Sequence, residues 1–377
     1  MHIFRGIHHK ALASRTALTI GNFDGVHRGH LAMLHELVHT AHARGLVPTV
    51  LTFEPHPRDF FATLHGQPDS APSRISTLRD KLCALREAGA EQVIVLRFDA
   101  SIAALSPEAF VRQIVLQGLK AQFVLVGDDF RFGARRAGDF AQLDRLMRSA
   151  GGEARQMPVV LTQTRMKLPP DSLRSHSTSR LASHSDSHGM DQSAGTDPCP
   201  AHPPEGVSVP SERPCGTDLR ISSSAVRQAL QAGDMETVQL LLGRPYAISG
   251  HVLHGAKLGR KLGFPTLNLR FDRARPALGG VFVAQVHGLE TAALPAVASL
   301  GTRPAVETNG RVLLETHVFD WRAQAYGKLI RVELLHKLRN EAHYSDLAQL
   351  TAAIQRDSDQ ARAWFAQLAR QTTRDRI

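Results

Sequence analysis

Apolar positions along the first part of the chain fall into short runs that alternate with longer amphipathic stretches. ALTIGNF (17–23) reads as a buried strand entering a Gly-Asn turn. His30 to Gly45 carries apolar residues at helical spacing and ends on a glycine stop. Strands follow at 47–53, 92–98 and 123–127, with helices at 78–89 and 107–118 between them. Short apolar runs alternating with helices of ten or more residues predict βαβ units and a parallel sheet. The N-terminal half is therefore expected to be α/β and doubly wound.

The pattern breaks near residue 168. Residues 171–190 hold seven Ser and three His and almost nothing apolar, and Pro, Gly, Ser and Asp continue to about Asp218. Such a composition cannot bury enough surface to offset its ordering entropy, so 168–217 is expected to be a largely disordered insertion. Its histidines have no metal-ligand spacing. Residues 222–243 then read as Ser-capped helices ending at Gly243. From Arg244, short runs at 246–253, 280–286, 294–300, 313–319 and 329–335 are separated by Gly, Pro or polar turns. That spacing predicts a small antiparallel barrel or sandwich. A long 3.6-residue periodicity over 345–369 predicts a closing helix.

Composition removes several function classes. Hydrophobic residues at 42% and charged residues at 21% exclude wholesale disorder. The three cysteines, Cys83, Cys199 and Cys215, form no C-x-x-C pair, which excludes a zinc ribbon and a disulfide framework and suits a reducing cytosol. No apolar stretch has the length of a signal peptide or approaches the ~18 residues of a membrane span, so a cytoplasmic protein without a membrane partner is expected. The net charge of +10 is spread along the chain without a Lys/Arg block. It points to anionic nucleotides as ligands, with no nucleic acid.

The strongest chemical signal is GNFDGVHRGH (21–30), between the first strand and the first helix, at the edge where α/β sheets bind ligands. Gly21, Asn22, Phe23, Gly25 and Gly29 make a turn that permits close backbone approach. The helix that follows offers free N–H groups and a positive dipole end to phosphate. His27 and His30 can both donate to one polyphosphate and stabilise charge developing during transfer. A second signal is ISSSAVR (221–227), where Ser222, Ser223 and Ser224 at a helix start, with Arg227 one turn on, suit ATP phosphates. HELVH (35–39) matches the zincin H-E-x-x-H, but it lies on the helix directly after the glycine-histidine loop and no third ligand follows at helical range. A metalloprotease reading is therefore set aside.

The C-terminal part has its own cluster. GAKLGRKLGFPTLN (255–268) spaces Gly255, Gly259 and Gly263 at four-residue intervals with Lys257 and Arg260 between them. It reads as a mobile basic loop over ATP phosphates, although it is not a Walker A loop. Thr266 and Asn268 alternate on an extended segment and so share a side, where a hydroxyl and an amide oxygen suit Mg²⁺ accompanying ATP. Glu315, in the otherwise apolar LLETHVF, reads either as a paired structural acid or as the base that accepts a hydroxyl proton.

Together these segments resemble the bacterial bifunctional riboflavin kinase/FAD synthetases along nearly the whole chain. TFEPHPRDFF (52–61), VGDDFRFGARRAGD (126–139), LLGRPYAISGHVLHGAKLGRKLGFPTLNL (241–269) and the stretch from Tyr326-Gly327-Lys328 to Arg339 add to the motifs already quoted. The resemblance implies an α/β nucleotidyltransferase domain, Rossmann-like with a parallel sheet, over 1–240. A β-barrel riboflavin kinase domain with a C-terminal helix would follow over 244–377. It implies the substrates riboflavin, FMN and ATP, the product FAD, and Mg²⁺ as cofactor. By the same resemblance His27, His30 and Arg227 act on ATP during adenylyl transfer, and Ser222 to Ser224 line its phosphates. Asp128, Asp129 and Phe130 border the flavin, Thr266 and Asn268 hold Mg²⁺ and phosphate, and Glu315 activates the ribityl hydroxyl. Arg339 is implied as a flavin or nucleotide contact. Departures from the family are the long insertion, Ser299 in place of Asn, Ala305 in place of Thr, and Phe282 in place of Tyr. They spare Thr266, Asn268 and Glu315, so slowed rather than abolished kinase activity is the most they imply. The rival readings are a flavin-sensing or RNA-binding protein with a degenerate kinase domain, and a nucleotidyltransferase for another acceptor.

Overall fold

The computed structural model describes residues 1–162, 219–255, 258–270, 276–302 and 312–374. The insertion expected over 168–217, Lys257 and Ala305 lie outside them. In the N-terminal part β1 (His2–Phe4), β2 (Thr16–Ile20), β3 (Val47–Glu54), β4 (Gln92–Arg97), β5 (Ala121–Val126) and β6 (Glu153–Gln156) form one parallel sheet in the order β1-β4-β3-β2-β5-β6. All five residues of β2 are buried, as a strand covered on both faces requires.

The helices are α1 (Arg28–Ala43), α2 (Pro57–Leu64), α3 (Leu78–Glu87), α4 (Ala100–Ala103), α5 (Pro107–Phe110) and α6 (Phe140–Ser149), with α5 continuing as π-helical turns over Val111–Gly118. Alternate strand residues serve opposite layers. Ala17, Val50, Val93 and Val95 meet Leu34 and Leu37 of α1 and Leu85 of α3, whereas Leu18, Leu51, Ile94 and Val124 meet Phe110, Ile114 and Met147. This confirms the doubly wound expectation. It also fixes the switch point: β2 pairs β3 on one side and β5 on the other, and the glycine-histidine loop leaves β2 there.

Two helices, α7 (Ser223–Ala232) and α8 (Met235–Leu242), precede the second sheet and end on left-handed glycines, Gly233 and Gly243. The second sheet comprises β7 (Tyr246–His251), β8 (Leu267–Arg270), β9 (Gly280–His287), β10 (Leu294–Thr302), β11 (Val312–Val318) and β12 (Leu329–Arg339), with the short α9 (Leu258–Lys261) between β7 and β8. Its order is β7-β12-β9-β10-β11-β8, antiparallel throughout. A further bridge between Leu253 and Asn268 brings the two edges together into a nearly closed barrel. Phe282, Ala284, Leu300 and Leu314 fill the interior. The last helix, α10 (Leu347–Arg374), covers the outside, where Ala361, Trp364 and Phe365 meet Val281, Val283 and Val297.

One feature differs from the sequence expectations. The basic glycine-rich segment contains the helical turn α9 and is closed by Phe264 N–H donating to Gly259 O at 2.7 Å, rather than being a loop throughout. Val226, Leu230, Val238 and Leu241 of α7 and α8 pack in one buried cluster with barrel residues such as Ile248 and Leu334.

Candidate active sites

The loop 21–27 is held in an unusual backbone shape. Gly25 has φ +86°, and the flanking Phe23 and Val26 have φ +48° and +40°, uncommon for any side chain and an outlier for a β-branched one. A Cβ on Gly25 would lie 2.7 Å from Ile75 Cγ2, so only glycine fits. Asp24 anchors the turn. Only 2% exposed, its carboxylate accepts from Ile75 N–H at 3.1 Å and Ser76 N–H at 3.2 Å, and from Arg227 Nη2 at 2.7 Å. Ser223 Oγ donates to Asp24 O at 3.0 Å. The two sequence motifs, nearly two hundred residues apart, therefore form one site.

His27 caps α1: its Nδ1 accepts the His30 N–H at 3.3 Å, which leaves the proton on Nε2. The His30 ring stacks on His27 at 3.7 Å and leans on Phe23 at 5.0 Å. Burial, then the nearby Arg244, hold His27 down to about 4, with Arg227 adding to the effect and Asp24 opposing it. Burial and then His27 push His30 well below the usual imidazole range, so both rings are neutral at pH 7. Among the described residues, His30 Nδ1 is buried without a hydrogen-bond partner, as expected of a group waiting for a ligand.

Other residues expected at this site are placed as follows. Gly21 sits against the Phe23 ring, Asn22 O accepts from Thr52 Oγ1, and Gly29 leaves α1 free to approach Ile221 O. Ser222 caps α7 through Ala225 N–H, and Ser224 is exposed. Arg227 also donates from Nε to Ser73 O at 2.7 Å, leaving Nη1 without a partner among the described residues. Asp128 and Asp129, after β5, are exposed. Arg220 pairs with Asp128 at 2.9 Å, and Phe130 stacks on Phe132.

Sequence reasoning missed Lys81 and Arg244. Lys81 is 2% exposed, donates to Thr52 Oγ1, and is pushed down by burial with Arg74 beside it. Its signal was available: it shares the buried stripe of α3 with Ala84 and Leu85, where a lysine is out of place. Arg244 had no comparable signal.

In the barrel, register assembles the second site. Asn268 of β8 lies opposite Glu315 of β11, which lies opposite Ser299 of β10. Neighbouring partners point to one side, here the outer face next to α10. Asn268 is 6% exposed, and its Oδ1 is buried without a partner among the described residues. Its amide abuts Gly255 so closely that any side chain there would collide with it, and Gly259 lies close to Thr266 Oγ1. His317 Nδ1 bonds Pro265 O at 2.9 Å and fixes the segment carrying Thr266 to β11. Arg260 and Gly263 are exposed. Glu341, which sequence reasoning missed, covers Gly301. Burial raises its carboxyl, with Arg339 opposing and Glu315 adding to the rise. Arg339 is committed to α10, giving both Asp357 oxygens bonds at 2.8 and 2.7 Å. Glu36, of the zincin-like stretch, accepts from Arg155 at 3.0 Å and from Thr40.

Comparison with known proteins agrees with this division of chemistry. Residues 9–167 match the FAD synthetase family model and residues 242–365 the riboflavin kinase model. The bifunctional riboflavin kinase/FMN adenylyltransferase of Escherichia coli K12 is 38% identical over 367 residues, covering 97% of this chain and 98% of that protein. The chain belongs to the bifunctional riboflavin kinase/FMN adenylyltransferase family. The Haemophilus influenzae member is 34% identical over 97% of this chain and 99% of its own length. Among solved structures, a protein from Streptococcus pneumoniae titled a macrolide-efflux protein superposes with TM-score 0.66 at 23% identity, covering 96% of this chain and 99% of that one. At that identity the likeness concerns the fold alone. No described helix is long and apolar enough to cross a membrane.

Proposed function

We infer that the chain phosphorylates riboflavin with ATP to FMN at the barrel, and joins FMN to the adenylyl group of a second ATP at the switch point of the parallel sheet, releasing FAD and pyrophosphate. The observation that carries this reading is one chain holding two separate candidate sites, the glycine-histidine loop within the segment matched by the FAD synthetase model and the Asn268–Glu315 row within that matched by the riboflavin kinase model. The domain limits proposed are 1–240 and 244–377.

In adenylyl transfer an FMN phosphate oxygen attacks the α-phosphorus of ATP, and the bond to pyrophosphate breaks. The chain's task is to place these groups in line and to stabilise the negative charge that builds up. The N-terminus of α1 supplies N–H groups and its dipole. His27 Nε2–H and His30 donate as neutral imidazoles, Arg227 offers Nη1, and Ser222 to Ser224 line the phosphates. Asp128, Asp129 and Phe130 border the flavin.

In the kinase reaction Glu315 takes the proton of the ribityl hydroxyl as its oxygen attacks the γ-phosphorus of ATP, and the bond to the departing ADP breaks. Gly255, Gly259, Arg260 and Gly263 lie over the phosphates. Thr266 Oγ1 and the buried, unpartnered Asn268 Oδ1 are hard oxygen donors that fit Mg²⁺. When bound with ATP, Mg²⁺ supplies neutralisation of phosphate charge. Arg339 holds α10, its three guanidinium nitrogens being taken by Asp357 and Asn340 O.

The test is direct. Purified protein with riboflavin, ATP and Mg²⁺ is expected to accumulate FMN and then FAD by chromatography. Formation of neither product would overturn the reading, and FMN without FAD would remove its adenylyl half.

A further inference from the structure

Arg244 is the first residue after Gly243, the left-handed glycine that ends α8, and it immediately precedes the barrel strand β7. Its side chain does not serve the barrel. It reaches back across the chain to the glycine-histidine loop. Nη2 donates to Gly25 O at 2.8 Å, and Nη1 donates to Val26 O at 2.9 Å and to Leu242 O at 3.3 Å. The two loop carbonyls lie on either side of Val26 Cα, the β-branched residue at φ +40°. A conformation of that kind persists only where its surroundings over-determine it. The peptide after Val26 leads into His27, the cap of α1, and His27 in turn stacks on His30. Nearby, the Tyr246 hydroxyl donates to Ile75 O at 2.8 Å, and Ile75 N–H donates to Asp24. The segment leading into the barrel thus grips the adenylyl loop at two places, and the direct one is Arg244.

We propose that Arg244 is a positioning residue for adenylyl transfer: its guanidinium fork holds the Gly25 and Val26 carbonyls so that the strained loop presents His27 and His30 to the ATP phosphates. A planar fork with fixed donors can hold two carbonyls in one relative orientation, and an ammonium cannot. The proposal rests on the reading that this loop is the adenylyl site. It adds that the site is completed by a residue beyond the α/β sheet and its helices. Arg244 also bears on the state of His27. The charged groups acting on that ring are Arg244 and Arg227, which disfavour its protonation, and Asp24, which favours it, with His30 stacked alongside. Removing Arg244 therefore eases protonation of His27.

The test uses the full chain with Arg244→Lys, Arg244→Ala and, as a separate check on the site, His30→Ala. FMN formation from riboflavin by the same protein reports that the chain is folded. FAD formation from supplied FMN is expected to fall about 10²-fold in kcat with Arg244→Ala, the size of effect that an ångström of misplacement produces. With Arg244→Lys it is expected to remain at least about tenfold down, since the charge is kept and the fork is lost. In Arg244→Ala the acid limb of the FAD-forming pH profile should move to higher pH, whereas a residue that merely stabilised the fold would leave that limb in place. Near-normal FAD synthesis by Arg244→Ala, full rescue by Lys, or an unmoved acid limb would each overturn the proposal. Unchanged FAD synthesis in His30→Ala would instead remove the reading of the loop on which it rests.

Discussion

Asp24 is the residue on which the adenylyl site is assembled, and Asp24→Asn isolates what its charge contributes. The substitution keeps volume and shape at a side chain that is 2% exposed. In one amide orientation the Asn oxygen still accepts the Ile75 and Ser76 N–H groups, but its NH₂ then faces Arg227 Nη2, which now lies 2.7 Å from Oδ2. In the other orientation the oxygen meets Arg227 and the backbone donors lose their acceptor. Either way a buried donor is orphaned, at about 1–3 kcal/mol. The Arg227 side chain, 14% exposed, also loses its counter-charge. Breaking a buried pair from one side costs about 3–5 kcal/mol in total. For a domain of this size that corresponds to a fall of about 6–20 °C in Tm. FAD formation should drop by about 10²-fold, because the Arg227 guanidinium is released from the loop. The assay pairs calorimetric unfolding with chromatography of FMN and FAD. Adding Arg227→Met, so that neither charge remains, should recover a large part of the lost stability. Unfolding within about 2 °C of the parent, or a double variant as unstable as the sum of the two singles, would refute the reasoning.

His30→Ala should cut FAD formation about 10²-fold while FMN formation persists, as for loss of one preorganised donor, with product chromatography as the check. Glu315→Gln should lower kinase kcat with little change in riboflavin or ATP affinity, and steady-state kinetics showing normal kcat would end its assignment as base. His27 is held down to about 4 against an ordinary 6.5, so below 6.5 the unfolded chain binds a proton that the folded site refuses. Stability is therefore full above that pH and is lost as pH falls toward about 4. The loss from this residue is roughly 3 kcal/mol, and thermal unfolding of the parent beside His27→Gln should show it. Finally, a fragment starting at Leu219 should unfold at a higher temperature than one starting at Leu242, because α7 and α8 share a buried cluster with the barrel. Equal unfolding temperatures would show that this packing contributes nothing.

What the sequence determined by itself is local in origin. The alternation of apolar runs with helical stripes specified a parallel doubly wound sheet, since β2 and its neighbours are buried on both faces and read as continuous apolar strands. The phosphate-facing loop was legible because strand, glycine turn and helix N-terminus are contiguous, and backbone geometry decides what such a unit can bind. The barrel strands followed from short runs separated by Gly, Pro or polar turns, and the covering helix from a 3.6-residue period. The short edge strands β1 and β6 escaped, having too few apolar positions to show a period, whereas α6 was passed over although Phe140, Leu143 and Met147 recur at helical spacing. Only the tertiary structure brought Arg227 to Asp24 across 203 residues and Arg244 to Gly25 across 219. An arginine's partner depends on where the backbone returns, and no local period records that. Register likewise decided that Asn268, Glu315 and Ser299 stand in one row, since a slip of one residue would turn each to the opposite face. Packing, too, set α7 and α8 against the barrel: an amphipathic stripe specifies that a face must be covered but not by which neighbour.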